Sequence, residues 1–215
     1  MTLAQQIEKF NIAAADSTPA EVAEAFQAAI QNWVTTGIDK DALKEGDRIP
    51  SFQLNDLNGN AVHSDELLKR GPIIINFYRG GWCPYCDLEL KALQDSLSEF
   101  KASNATLIAV SPELPDNSLA AIEKNRITFP VLTDRKLMLA KQFGLVFKLP
   151  KTIEDMTKDV FGLNLPEING TDEFELPIPA TYIVDSDHVI RFASANPNFM
   201  QRTEPSKIID VLKTL

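Results

Sequence analysis

Residues 77–94, FYRGGWCPYCDLELKALQ, decide the fold of this 215-residue chain, because a strand, a tight turn and a helix follow one another there. The apolar run at 73–78 is rich in β-branched and aromatic residues, and it predicts a buried strand. Gly80 and Gly81 end that strand, since glycine frees the backbone from the usual φ restrictions. Apolar residues then recur at steps of three and four, which predicts a helix that begins at the cysteines.

The only two cysteines of the chain, Cys83 and Cys86, lie one turn apart at the start of this predicted helix. Positions i and i+3 of a helix bring Cβ atoms to about 5–6 Å, which allows a disulfide with little backbone movement. The N-terminal end of a helix also presents unpaired N–H groups and a partial positive charge, and both favour a thiolate. Cysteine pKa values in such motifs fall to roughly 3.5–7.5, so the pair is suited to reversible oxidation.

Two other interpretations of the cysteine pair are a structural zinc half-site and two inert buried thiols. Structural zinc takes four ligands, and the two histidines, His63 and His188, are not at ligand spacing. A strand followed by a turn and a helix start is the usual context of a redox-active CxxC motif. The sequence therefore favours thiol redox chemistry with no metal and no other cofactor.

The charge and composition of the chain exclude several classes of partner. A net charge of −9 without a basic cluster disfavours nucleic acid and anionic membrane surfaces. No apolar run approaches the ~20 residues that span a bilayer. The N-terminus lacks the basic and apolar regions of a signal peptide, and two cysteines do not make a secreted disulfide scaffold. We expect a cytoplasmic protein, and in the cytoplasm a CxxC motif is usually catalytic.

The chain divides into a helical extension at 1–45 and a main domain at 46–215. The extension carries an apolar stripe at helical spacing, formed by Val22, Phe26, Ile30 and Trp33. This stripe needs a cover, either the body of the same chain or a second copy in a homodimer through the N-terminal helices. The main domain alternates strands with helices and predicts a largely parallel sheet covered on both faces. Within it, we expect the proline-rich segment at about 146–179 to be an insertion that shapes a pocket wall.

The strand–WCPYC–helix unit, the later strand–helix repeats and a hairpin that begins with PATYIVD at 179–185 resemble the thioredoxin fold. More narrowly, residues 46–215 resemble the peroxiredoxin-like branch of the alkyl hydroperoxide reductase/thiol-specific antioxidant family. The stretches that carry this resemblance are 77–86, 111–119, 143–150, 179–185 and 196–199, with Arg202. The resemblance implies an α/β, thioredoxin-like fold with a central mixed sheet flanked by helices, preceded by the N-terminal helical extension.

The resemblance also implies roles for single residues, and these are divided between two chemistries. On the family's Pro-x-x-x-Thr-x-x-Cys loop, the cysteine that attacks peroxide falls on Cys86, and a glutamate often found three residues later falls on Glu89. The proline of that loop is replaced by Arg79 and the threonine by Cys83. The family's activating arginine falls at about Pro179, which instead matches the cis-proline that faces the CxxC motif in thioredoxin-like disulfide reductases. Arg79 is either a replacement for the missing cation or a solvent-facing loop residue.

Three functions remain open at this level. The first is hydroperoxide reduction, in which Cys86 attacks, Cys83 resolves the sulfenic acid, and thioredoxin or a low-molecular-weight thiol restores the dithiol. The second is a protein disulfide oxidoreductase in which Cys83, expected to be the more exposed thiol, attacks a disulfide. There Pro179 orients the partner chain and Trp82 either flanks the nucleophile or only caps the core. The third is a non-catalytic redox sensor. The length of the resemblance favours the peroxidase.

Overall fold

The computed structural model describes residues 1–215, which form ten α-helices and nine β-strands. The helices are Leu3–Ala15 (α1), Ala20–Thr36 (α2), Ser64–Leu68 (α3), Pro84–Asp95 (α4), Leu97–Ala102 (α5), Pro115–Asn125 (α6), Met138–Gln142 (α7), Lys151–Asp159 (α8), Leu165–Asn169 (α9) and Pro205–Leu212 (α10). The strands are Gln53–Asp56 (β1), Ala61–His63 (β2), Ile73–Phe77 (β3), Thr106–Ser111 (β4), Val131–Thr133 (β5), Val146–Lys148 (β6), Glu175–Pro177 (β7), Ala180–Val184 (β8) and Ile190–Ala195 (β9). None of the helices has the length and apolar character of a membrane span.

Seven of the strands form one sheet in the order β2-β1-β5-β4-β3-β8-β9. Only β3, β4 and β5 run parallel to one another, and the outer strands pair antiparallel. The mixed sheet that the resemblance implies is therefore confirmed, whereas the largely parallel sheet that the strand–helix alternation predicts is wrong. The reason is that β1 and β8 pair antiparallel with the distant strands β5 and β3, while β2 and β9 follow β1 and β8 by short turns, which permit only antiparallel pairing.

The strand β3 lies at the centre of the sheet between β4 and β8, and every residue of it is buried. Its side chains alternate between two apolar cores, because successive residues of a strand point to opposite faces. Ile73, Ile75 and Phe77 pack into one core, and Ile74 packs into the other with the cysteines of α4. Burial on both faces explains why this strand reads as a continuous apolar run. Because β3 is buried and paired on both sides, it fixes the position of the cysteine turn that follows it.

The apolar stripe of the N-terminal extension is covered by the same chain. In α2, Ile30 and Trp33 are buried, and they pack on residues of the insertion, among them Leu149, Ile153 and Leu176. The ring centroids of Trp33 and Phe147 lie 5.1 Å apart. Packing within the chain thus accounts for the buried residues of the stripe, and the homodimer through these helices stays a prediction.

The segment at 146–179 has secondary structure of its own. Strands β6 and β7 form a separate two-stranded antiparallel sheet, and α8 and α9 lie between them in sequence. The apolar cluster that this segment makes with α2 also takes in Trp82 and Tyr85, which flank Cys83. The insertion therefore belongs to an apolar cluster that reaches the neighbourhood of the cysteines at Trp82 and Tyr85.

Candidate active site

The turn between β3 and α4 is fixed by glycine geometry and by backbone hydrogen bonds. Gly80 has φ of +151°, and a Cβ there would collide with the indole ring of Trp82. The N–H of Cys83 donates to the carbonyl of Gly80 at 3.2 Å. Cys83 is the N-cap of α4, and Pro84 occupies the first helical position, where its missing N–H costs nothing. The helix start predicted at the cysteines is where the structure has it.

Both cysteines are free thiols, and neither sulfur-bearing side chain has any solvent exposure. The prediction that Cys83 is the more exposed thiol is therefore wrong. A helix N-cap is usually near the surface, but here the aromatic side chains of Trp82 and Tyr85 pack around the cysteine core. Burial of both thiols means that any reaction with a substrate requires this cover to open.

Each cysteine sulfur receives a hydrogen bond from a different arginine. The Nη2 of Arg79 donates to the Sγ of Cys83 at 2.9 Å, and the Nη2 of Arg202 donates to the Sγ of Cys86 at 3.5 Å. Arg79 is only 6% exposed, so the interpretation of Arg79 as a solvent-facing loop residue is wrong. The sequence assigns no role to Arg202, because it lies 116 residues from Cys86 and no local pattern connects them.

The two thiols differ strongly in acidity. Burial raises the pKa of Cys83, but the hydrogen bond with Cys86 and the charges of Arg79 and Arg202 outweigh burial and hold that pKa well below its ordinary value. Burial raises the pKa of Cys86, and the hydrogen bond with Cys83 and its charge raise it further. The surroundings therefore favour a thiolate on Cys83 over one on Cys86.

Glu89 lies one helical turn after Cys86 and is 2% exposed. Its Oε2 lies 2.8 Å from the Nε of Arg202, so the two side chains form a buried ion pair. Burial raises the pKa of Glu89 to about 7, although the Arg202 charge opposes this shift. The structure thus places this predicted residue near the pair, as a carboxyl group that exchanges its proton near neutral pH.

Two aromatic rings, those of Trp82 and Phe199, pack against the guanidinium of Arg79. The guanidinium carbon of Arg79 lies 3.9 Å from the ring centroid of Phe199 and 5.2 Å from the ring of Trp82. Tyr85, between the cysteines in sequence, packs edge-on against Phe199 with centroids 5.5 Å apart. Cation–π contacts of this kind hold a guanidinium in place in a site without water. Trp82 therefore contacts Arg79, the residue that donates a hydrogen bond to the Cys83 sulfur.

The helix α1 ties together two parts of the cover. Near its C-terminal end, the Oδ1 of Asn11 accepts a hydrogen bond from the hydroxyl of Tyr85 at 2.7 Å. At its N-terminal end, the Glu204 carboxylate accepts two N–H groups of the first turn, at 3.1 and 2.7 Å. Only Leu3 and Ile7 of α1 are buried. The helix therefore bridges Tyr85 and the segment that carries Arg202, with a small apolar contact of its own.

Pro179 is buried and immediately precedes β8, whose first residue, Ala180, pairs with Phe77 at the end of β3. The structure contains no cis peptide bond, so the cis-proline expected at this position is wrong. The N–H of Ile178 donates to the Leu145 carbonyl, and the Pro179 carbonyl accepts from the N–H of Asn196. A trans peptide bond joins Ile178 to Pro179 between these two hydrogen bonds.

Comparison with known proteins places these features in a family. Residues 46–193 match the AhpC/TSA family. Over 183 residues the chain is 25% identical to "Peroxiredoxin Q, chloroplastic" of Populus jackii, a match that covers 85% of this chain and 70% of that protein. It is 28% identical over 116 residues to "Thiol-disulfide oxidoreductase ResA" of Halalkalibacterium halodurans, covering 54% of this chain and 64% of that protein.

The fold is also found among solved structures. The peroxidoxin BcpB from Mycobacterium tuberculosis superposes with a TM-score of 0.63 at 21% identity. The superposition covers 80% of this chain and 98% of that one. The similarity therefore includes nearly the whole of the smaller protein and leaves part of the present chain outside it.

Proposed function

Because this chain is a peroxiredoxin-like member of the AhpC/TSA family, we propose that it reduces hydroperoxides by cycling Cys83 and Cys86 between dithiol and disulfide. The observation that carries the proposal is the contact of 2.9 Å between the Arg79 guanidinium and the Cys83 sulfur, one helical turn from a second free thiol at Cys86. A thiolate, a cation and a second thiol are the three groups that this reaction needs.

In the first step, the Cys83 thiolate attacks one oxygen of the O–O bond. A sulfur–oxygen bond forms, the O–O bond breaks, and the alkoxide or hydroxide that leaves takes up a proton to become an alcohol or water. The product at Cys83 is a sulfenic acid. Arg79 stabilises the negative charge that moves from sulfur to the leaving oxygen. The resemblance implies attack by Cys86 instead, but its raised pKa disfavours the thiolate there.

In the second step, the Cys86 sulfur attacks the sulfenic sulfur of Cys83. The S–S bond forms, and the hydroxyl group leaves as water after it gains a proton. The Cys86 thiol must lose its own proton in this step. Glu89 is the proposed acceptor, because its pKa of about 7 suits a transfer at neutral pH and because it shares Arg202 with Cys86.

In the third step, an external dithiol such as thioredoxin, or two molecules of a low-molecular-weight thiol, attacks the Cys83–Cys86 disulfide. The external thiols become the oxidised pair and the enzyme returns to its dithiol form. All electrons in the cycle pass through sulfur. We propose the cytoplasm as the compartment, because such reductants are kept reduced there.

Access to the sulfurs requires movement, because both are sealed in the closed structure. We assign part of the cover to the N-terminal extension, which precedes the matched residues 46–193. Helix α1 contacts Tyr85 through Asn11 and the Arg202 segment through Glu204. Its small buried face makes it the part of the cover that separates most easily.

A protein disulfide oxidoreductase is the second candidate function. It is favoured by a specific observation, the position of Cys83 at the N-cap of α4, where the contact with Arg79 and a lowered pKa favour its thiolate, with Cys86 one turn further along. A thiolate at Cys83 and a thiol at Cys86 also suit attack on a disulfide by Cys83, followed by resolution of the mixed disulfide by Cys86. In that reaction Trp82 supplies an apolar contact for the partner. A redox sensor, which is oxidised once by one equivalent of oxidant, needs the same division of roles between Cys83 and Cys86.

A turnover assay separates these functions. The reduced protein is mixed with hydrogen peroxide, an alkyl hydroperoxide or insulin, and thioredoxin with thioredoxin reductase supplies electrons from NADPH. We expect NADPH oxidation that depends on peroxide and on both cysteines, with Cys83→Ser and Cys86→Ser as controls. Reduction of insulin without peroxide turnover contradicts the peroxidase and supports the disulfide oxidoreductase. A single equivalent of oxidant consumed, whichever is offered, supports the sensor.

A further inference from the structure

The side chain of Glu113 contacts the cysteine turn from outside the cysteine pair. It follows β4 in sequence and is 2% exposed. Its Oε2 accepts a hydrogen bond from the N–H of Gly81 at 2.9 Å and another from the hydroxyl of Ser118 at 2.8 Å. Gly81 lies two residues before Cys83. A buried carboxylate thus binds the backbone of the turn that presents the reactive sulfur.

The surroundings of Glu113 hold this carboxylate in one orientation. Its own N–H donates to the hydroxyl of Ser111 at 3.2 Å, and Ser118 lies on α6. Burial raises the pKa of Glu113, while the hydrogen bonds from Gly81 and Ser118 lower it. An almost fully buried carboxyl group is costly unless its acceptors are used, so a structure that keeps one here uses it for these two donors.

Gly81 is held between the Glu113 carboxylate and helix α6. A Cβ at Gly81 would lie 2.7 Å from the Cβ of Ala121 on α6, closer than carbon atoms approach in proteins. The turn is therefore pressed against α6 and hydrogen bonded to Glu113 at the same residue. Arg79 and Cys83 lie on either side of that residue, and their contact of 2.9 Å depends on the shape of the turn.

We infer that Glu113 is a positioning residue, which fixes the turn at Gly81 so that the Arg79 guanidinium stays on the Cys83 sulfur. It touches no reacting atom and acts through the backbone of Gly81. The inference deepens the proposed function and rests on Cys83 as the reactive thiolate. It predicts that the acidity of Cys83 depends on a side chain 30 residues away that is hydrogen bonded to the turn at Gly81.

The test measures the ionisation of Cys83 by thiolate absorbance near 240 nm as a function of pH, in a Cys86→Ser background with a single thiol. We expect Glu113→Ala to raise the apparent pKa of Cys83 and to lower its rate with peroxide at neutral pH by about tenfold, the loss of one charge-assisted hydrogen bond. Glu113→Gln keeps an acceptor for Gly81 and should restore most of the acidity. Glu123→Gln, at an exposed glutamate of α6, is the matched control.

The outcomes distinguish this inference from its premise. An unchanged Cys83 pKa in a folded Glu113→Ala variant, judged by far-UV circular dichroism, overturns it. If Glu113→Ala does not fold, Ser118→Ala carries the test, since loss of that donor should shift the Cys83 pKa in the same direction but less, and no shift there also overturns the inference. A shifted pKa in a protein that reduces no hydroperoxide supports the positioning role and rejects the proposed peroxidase.

Discussion

Arg202 and Glu89 form an ion pair of 2.8 Å in which the two side chains are 1% and 3% exposed. The same arginine donates to the Cys86 sulfur, so it connects the carboxyl group with the resolving thiol. A pair buried this deeply contributes little net stability, because the cost of removing two charges from water offsets their attraction. Its position beside the cysteines therefore points to chemistry rather than to stability.

Replacement of Arg202 should affect stability and redox chemistry together. We expect Arg202→Met to lower the free energy of unfolding by about 3–5 kcal/mol at pH 8, because Glu89 loses its partner and must either stay charged in a buried site or take up a proton on folding. The loss should be smaller at pH 6, where Glu89 is mostly protonated. Urea unfolding at both pH values measures this, and an equal loss at both contradicts the assignment of Glu89 as the affected group.

The raised pKa of Glu89 also predicts a pH dependence in the unmodified protein. The folded state keeps the Glu89 proton up to about pH 7, whereas the unfolded state releases it near its ordinary pKa of 4.5. Between these values the folded state binds more protons, so this group stabilises the protein at low pH and the contribution is lost as pH rises to 7. Glu89→Gln should remove this slope. The measurement is the difference in unfolding free energy between wild type and Glu89→Gln at pH 5 and at pH 7.5. An equal difference at both pH values rejects the predicted pH dependence.

Replacement of Arg79 should raise the pKa of Cys83. Arg79→Met removes both a hydrogen bond and a charge from the sulfur, and we expect the rate with hydrogen peroxide at pH 7 to fall by about a hundredfold. Arg79→Lys keeps the charge but loses the planar guanidinium that packs on Phe199, so its rate should lie between the two. Stopped-flow measurement from pH 5 to 9 checks both, and a wild-type profile in Arg79→Met refutes the role of Arg79.

The order of attack is decided by the single-cysteine variants. Treated with one equivalent of peroxide, Cys86→Ser should form a sulfenic acid on Cys83 that dimedone traps, because the resolving thiol is missing. Cys83→Ser should react more slowly, because burial still raises the pKa of the remaining thiol after the charge of Cys83 is gone. Mass spectrometry of the trapped products measures both. Trapping in Cys83→Ser alone would assign the attack to Cys86.

Weakening the contacts of α1 should expose the thiols. We expect the double variant Asn11→Ala, Glu204→Gln to react with iodoacetamide at least about tenfold faster than wild type, since both ends of the helix lose their hydrogen bonds. Ile12→Ser on the same helix is the control, because Ile12 is 68% exposed and faces away from the cover. Equal alkylation rates in all three proteins would assign the gate to another part of the structure.

The sequence by itself determined the strand–turn–helix unit, the location of both cysteines at the helix start and the hairpin that begins at 179–185. These features follow from short-range rules, such as side-chain periodicity, glycine turns and the proximity of residues one helical turn apart. The resemblance added the mixed sheet, which alternation of strands and helices alone does not predict.

Only the tertiary structure decided which sulfur the surrounding charges favour as a thiolate, how far both sulfurs are buried, and which side chains surround them. Arg202 lies 116 residues from Cys86, and Glu113 lies 32 residues from Gly81, so no local pattern connects either pair. Acidity depends on burial and on charges within a few ångströms, and those distances are set when separate segments pack together. For this reason the sequence located the redox pair, whereas the packing of distant segments determined which of the two cysteines is the more acidic.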